Sequence, residues 1–177
     1  MNPKISSLWH QIEAQRLQLM LDLSSYDAVI LNKKPNPEAW SVVQVMQHLM
    51  AAEMRSLAYM RKKLSFTSQV PKAGFKSRMR RLMLRIAFNT PFKFKAPYNL
   101  ETFPDYGDFT DLKNKWASQR LDFQTFIETL PDNVLAGEIW NHQIAGKMNI
   151  AQMLDFFHDH VKRHQGQIKR TLKQVAS

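Results

Sequence analysis

Trp40-Ser41-Val42-Val43-Gln44-Val45-Met46-Gln47-His48-Leu49 is the stretch on which the fold turns. Ser41 is a residue type whose hydroxyl accepts from the orphan amides of a helix start. Gln44 stands three positions on, where its side chain reaches back to the Ser41 amide and closes a capping box. Trp40 and Val45 occupy the two positions of a hydrophobic staple. Apolar residues then recur at Val45, Leu49, Ala52, Leu57 and Met60, which predicts an amphipathic helix to about Lys63.

Upstream, residues 6–31 read as one helix, because Leu8, Ile12, Leu19, Leu23 and Ile30 keep near one face. Lys33-Lys34-Pro35-Asn36-Pro37 ends it, since proline cannot continue a helix and restricts the residue before it. Downstream, 65–74 is a polar connection, and 75–89 is a short helix, basic on one side and rich in Leu, Met, Ile and Phe on the other. Residues 90–107 carry Pro91, Pro97 and Pro104 among aromatic residues and are expected to be extended and ordered by packing. A third long helix is predicted from Phe109 to Leu130, opened by Asp108 or Thr110 and closed by Pro131-Asp132-Asn133. An irregular connection, 134–148, leads to a last helix with Asn149 as cap, Gln152 completing a second capping box, and Met148 and Met153 as staple. This helix runs to about Gln174. Met20, Met50, Met60, Met79 and Met83 fall at helical spacings and read as core fillers. The expected fold is all-α: a single domain, 1–177, built as an up-down-type four-helix bundle with a basic helical and extended insertion at about 65–107, between helices 2 and 3.

A chain of 177 residues suits one domain, which buries about 70% of the surface its unfolded form exposes. No stretch approaches the ~20 apolar residues that cross a bilayer. Met1-Asn2-Pro3-Lys4-Ile5-Ser6-Ser7 has no apolar core, so no secretory signal is expected and the cytoplasm is the expected location. The absence of cysteine excludes disulfides, thiolate ligands and a cysteine nucleophile.

The net charge of +10 belongs to one segment. Between Glu53 and Glu101 there is no acidic residue, while 12 Lys and Arg run from Arg55 to Lys95; the remaining 13 basic residues face 15 acidic ones. Three readings of this segment stand. Its apolar side packs on the bundle and its charges face water; or it lies near a pocket and helps recruit an anionic thiol or carboxylated substrate; or residues 61–95 make the chain a non-enzymatic binding module for an anionic membrane or nucleic acid, with any metal site structural or vestigial. No DNA- or RNA-reading motif accompanies it, and neither nucleic acid nor membrane is the expected partner.

The chemistry-bearing residues lie in His158-Asp159-His160-Val161-Lys162-Arg163-His164. His160 and His164 are four apart and project from one helical face, where two imidazoles can meet one metal ion. Such a pair is common on surface helices and decides nothing alone. His48 sits at the edge of the second helix's apolar face. It is either a rim residue satisfied by a hydrogen bond or a third ligand, because a bundle brings inward side chains of facing helices to a shared core site. Three protein ligands leave coordination open, as in catalytic sites. Neutral nitrogen donors suit zinc, nickel, copper or iron and not magnesium or calcium. His10 beside Trp9 reads as structural, and His158 points to another side of its helix. Glu53, five residues after His48, points about 140° around the helix and reads as a helix-surface carboxylate or one supporting the ligands from behind.

Taken together, Trp40-Ser41 through His48-Leu49 with Glu53, His142-Gln143-Ile144-Ala145-Gly146, and His160-x-x-x-His164-x-x-Gln167-Ile168 resemble the motifs of the DinB-like proteins, which include the YfiT-like metal-dependent hydrolases. Phe92-Lys93-Phe94-Lys95-Ala96-Pro97 is similar to the middle segment of one branch, and the likeness runs from about 36 to 172. The resemblance implies His48, His160 and His164 as ligands to one divalent metal, zinc or nickel. It implies an enzyme in which the metal activates a low-molecular-weight thiol or a water, an S-transferase or hydrolase acting on a small-molecule substrate, and a homodimer paired through helix faces. His142, just before the last helix, is the candidate catalytic residue lining the pocket and handling a proton. Two departures stand out: Gln143 replaces a frequent proline, and no fourth protein ligand is evident.

Overall fold

The computed structural model describes residues 2–67, 69–88, 90 and 102–176. In chain order the elements are α1 (Pro3–Leu23), α2 (Ala28–Asn32), α3 (Val42–Phe66), α4 (Phe75–Phe88), α5 (Phe109–Glu128), α6 (Asp132–Leu135), β1 (Trp140–His142), β2 (Gly146–Met148) and α7 (Ile150–Val175). The described chain is mostly helical.

Both capping boxes form. The Gln44 amide donates to Ser41 Oγ at 3.2 Å while the Ser41 amide donates to Gln44 Oε1 at 3.1 Å. Asn149 and Gln152 repeat the exchange at 2.9 and 3.0 Å. Asp108 caps α5 by accepting from the Asp111 amide at 2.7 Å.

Two expectations about the order of elements change. The helix expected over 6–31 is two helices. The Ser24 and Ser25 hydroxyls donate back to the Leu21 and Asp22 carbonyls, and Asp27 Oδ1 accepts from the Ile30 amide at 2.8 Å, starting α2 afresh. The expected irregular connection, 134–148, holds α6 and an antiparallel hairpin that pairs Trp140 with Met148 and His142 with Gly146. Gly146 takes φ +88°, a conformation that suits glycine where a short hairpin loop closes.

Helix α7 packs against α1, α3 and α4, while α5 packs against α3 and α1. Two apolar clusters fill the space between them. One gathers Trp9, Ile12, Met60, Phe123, Trp140 and Phe157; the other gathers Leu19, Leu23, Met46, Leu49, Trp116 and Val161. On each long helix a buried polar residue lies where one cluster gives way to the other: Arg16 on α1, Glu53 on α3, Arg120 on α5 and His160 on α7. His160 thus lies in a polar layer between the two clusters, while His48 and His164 stand beside residues of the second.

Helix α4 meets the packed-apolar reading only in part: Leu84 and Phe88 join the core cluster of Trp9 and Phe157, while a larger apolar stripe faces outward. Its inward face carries Ser77, Arg81 and Leu84, all buried. Arg81 Nε lies 2.7 Å from an Asp155 carboxylate oxygen, and Arg81 also pairs with Asp159 and donates to the Asp155 carbonyl at 2.8 Å. Phe75 (74% exposed), Met79, Leu82, Met83 (65% exposed) and Ile86 face outward. Met20, Met50 and Met60 fill the core as expected, but Met79 and Met83 do not. The side of α4 that turns inward is the one whose Arg81 pairs with α7 and whose Leu84 joins the core. Of the segment expected to be extended, 102–107 is free of helix and strand. There a Cβ on Gly107 would lie 2.7 Å from Val43 Cγ1, so the chain passes α3 too closely for a side chain. Residues 91–101, with Pro91, Pro97 and the Phe92–Pro97 motif, lie outside the described residues.

Candidate metal centre

His48 is carried by α3, and His160 and His164 by α7, so the packing of these two helices brings all three together. Ring centroids are 5.0 Å apart for His48 and His160, 4.7 Å for His48 and His164, and 4.7 Å for His160 and His164. One nitrogen from each lies within 4.8 Å of the others, and the Nε2 atoms of His48 and His160 stand 3.1 Å apart.

The donor set fits a divalent transition ion. With metal–nitrogen bonds of about 2.0–2.1 Å, two nitrogens of a tetrahedral site lie about 3.4 Å apart, close to the 3.1 Å between His48 and His160, while all three ligand atoms lie within 4.8 Å of one another. The His164 Nδ1 atom is 2.9 Å from Gln167 Oε1. A carbonyl oxygen only accepts, so Nδ1 carries the proton and Nε2 is left as the ligand nitrogen. Burial pushes the His160 pKa well below its ordinary value, and the neighbouring His164 and His48 push it further. His160 is therefore neutral, the form that binds metal.

Aromatic rings flank the cluster, in which His160 is buried and His48 and His164 are half-buried. Phe156 stacks on His160 with centroids 5.3 Å apart, and Phe88 approaches His160 at 5.9 Å. Trp40 lies 5.2 Å and Phe103 6.3 Å from His48. Arg163 Nη1 donates to the Phe88 and Thr90 carbonyls at 3.1 and 3.3 Å and its guanidinium lies 5.7 Å from the Phe88 ring, holding the end of α4 beside the site.

His142 is on β1, with its ring 4.8 Å from that of Phe156. The Ile144 and Ala145 amides donate to its Nδ1 at 3.3 and 3.1 Å. The neutral ring therefore carries its proton on Nε2. Burial pushes its pKa down to about 4, so it is neutral at pH 7.

Glu53 departs from its helix-surface reading. It is 3% exposed, and Arg120 donates to both its oxygens at 2.6 Å while Trp116 Nε1 donates to Oε2 at 3.0 Å. Arg120 also reaches Glu13, itself paired with Arg16. The carboxylate is consumed by this network and is not among the cluster's ligands. His10 bonds within α1 to the Ser6 carbonyl at 2.7 Å, and His158 stays outside the cluster. Sequence reasoning missed the orienting role of Gln167, although its place three residues after His164 put it on the same helical face. It also missed Phe88 and Arg163, which only tertiary packing brings to the site.

The sequence profile of the DinB superfamily matches residues 9–168. The chain belongs to the DinB superfamily. It is also similar to the uncharacterized protein YuaE of Bacillus subtilis (strain 168), at 25% identity over 160 residues, which is 90% of this chain and 94% of that one. No solved structure matches it. DinB-like proteins are metal-binding, and among the described residues the three-histidine cluster is a group that could hold an ion.

Proposed function

We propose that this DinB-like chain is a metal-dependent enzyme of the thiol S-transferase or hydrolase type, holding one zinc or nickel ion through the Nε2 atoms of His48, His160 and His164. One observation carries the reading: three imidazoles from two helices converge on a single point, and Gln167 fixes the tautomer of one of them. The closed packing of α1, α7, α3 and α5 supports an up-down-type four-helix bundle, with residues at about 65–107 as its insertion.

When bound, the metal supplies Lewis acidity that brings a low-molecular-weight thiol or a water towards its anion near neutral pH. The chain's own groups do the rest. Burial of His160 keeps it deprotonated, and Gln167 holds His164 in register. Trp40, Phe88, Phe103 and Phe156 wall the pocket around the half-buried His48 and His164 and leave its open side to the thiol or water. His142 holds a proton at Nε2 and donates a hydrogen bond from there to a polar atom of a small-molecule substrate. A cytoplasmic location and pairing of two chains through helix faces complete the proposal.

The test has two arms. Metal content of the purified chain is compared with that of a His160→Ala, His164→Ala variant; equal content in both overturns the site. Metal-loaded protein is then assayed with several low-molecular-weight thiols and a generic electrophile, and with activated esters. Turnover abolished by His48→Ala supports the enzyme, and turnover unchanged by that substitution removes it.

A further inference from the structure

Helix α4 carries two faces that the metal centre does not explain. Its inner face is tied to α7 through Arg81. Its outer face is a stripe of Phe75, Met79, Leu82, Met83 and Ile86, spaced by four, three, one and three residues and all exposed. At 100° per residue these five span about 100° of the helix circumference. Cations line both margins: Lys76 on one side, with Arg80, which donates to the Lys147 carbonyl and lies 3.5 Å from Glu138, and Arg78 on the other, with Arg85, whose Nε lies 3.9 Å from Asp159. Lys76, Arg78 and Arg85 are exposed.

We propose that the outer face of α4 docks the protein on an anionic phospholipid surface, its apolar stripe entering the headgroup–acyl boundary and the two cationic margins meeting lipid phosphates. A basic helix with a bounded apolar stripe and little overall hydrophobicity lies in the plane of an interface and does not span it. Long Lys and Arg side chains at the margins reach upward to the headgroups while their stems stay among the acyl chains. Among the described residues no helix is long and apolar enough to cross a membrane, so any attachment is peripheral.

Charge and shape select this occupant over two others. Nucleic acid phosphates are met by cations at the centre of a contact, whereas here five large apolar groups hold the centre. A second copy pairing α4 with α4 would satisfy the stripe, but its two-fold symmetry would bring cationic margins against cationic margins. A lipid surface satisfies both parts. Because the end of α4 also places Phe88 against His160, the docked helix would form one wall of the metal centre.

The test uses the full chain with vesicles of phosphatidylcholine alone and of phosphatidylcholine mixed with phosphatidylglycerol, at low and high salt. Co-sedimentation with the anionic vesicles is expected, weakened roughly tenfold by high salt and by Lys76→Glu with Arg78→Glu. Leu82→Ser with Met83→Ser and Ile86→Ser should weaken it at least as much, and since these side chains are exposed the thermal melt stays in place. The chain has no cysteine, so Met83→Cys carries a single environment-sensitive dye whose emission shifts to the blue on anionic vesicles only. The proposal is overturned by no binding to anionic vesicles, by equal binding to neutral ones, or by binding that survives the triple serine variant. It is also overturned by duplex DNA binding that ignores the serine changes, or by self-association that those changes abolish.

Discussion

His48 Nε2 and His160 Nε2 stand 3.1 Å apart across the contact between α3 and α7. Two imidazole lone pairs cannot face each other at that distance without something positive between them. A single proton satisfies the pair as a hydrogen bond, and a metal ion satisfies it as two ligand bonds, so proton and metal compete for the same point. His164, whose ring centroid is 4.7 Å from each of the others, favours the ion because it adds a third nitrogen that one proton cannot serve.

Gln167 is expected to control metal affinity without touching the metal. Gln167→Leu removes the acceptor that orients His164, and calorimetric titration with zinc should show affinity down by about 10–100-fold. Gln167→Glu keeps an acceptor in place and should retain most of the affinity. Equal affinity in the Leu variant and the parent would show that the contact has no orienting role.

The buried pair of Glu53 and Arg120 makes a different prediction, about stability. Glu53→Ala leaves a guanidinium and the Trp116 indole N–H without their acceptor in the core, and urea denaturation should show a loss of about 3–5 kcal/mol. Replacing both partners with apolar residues, Glu53→Met with Arg120→Met, should recover much of that loss. A double variant no better than Glu53→Ala would contradict the pairing argument.

Stability of the metal-free chain should fall with acid. His142 binds its proton only near pH 4 in the folded state, against about 6.5 in the unfolded chain. Between those values the unfolded state holds more protons, so stability rises with pH through that window and is fully present above it. His142 alone contributes roughly 3 kcal/mol, and His160 acts in the same direction. Unfolding free energies measured across this window should show the slope. His142→Asn, whose Oδ1 can still accept from the loop amides, should flatten it; an unchanged slope would assign the effect elsewhere.

Much of the architecture was legible in the residues because its signals are local. Ser41 with Gln44 and Asn149 with Gln152 settle their helix starts within one turn, and the four-residue spacing of His160 and His164 places both on one face whatever surrounds them. The break at Ser24–Asp27 was not legible, because serines that bond back to helix carbonyls disturb the apolar period only slightly. Only the tertiary structure decided the rest. Glu53 is buried because its partner Arg120 lies 67 residues away on another helix. His142 loses its charge because a hairpin folds it against Phe156. Helix α4 turns Arg81 to Asp155 and Asp159 on α7 and leaves an apolar stripe outside, an orientation no local spacing specifies. Helix caps and face spacing are set by neighbours within a few residues, whereas burial and ion pairing depend on partners that only the folded chain brings within reach.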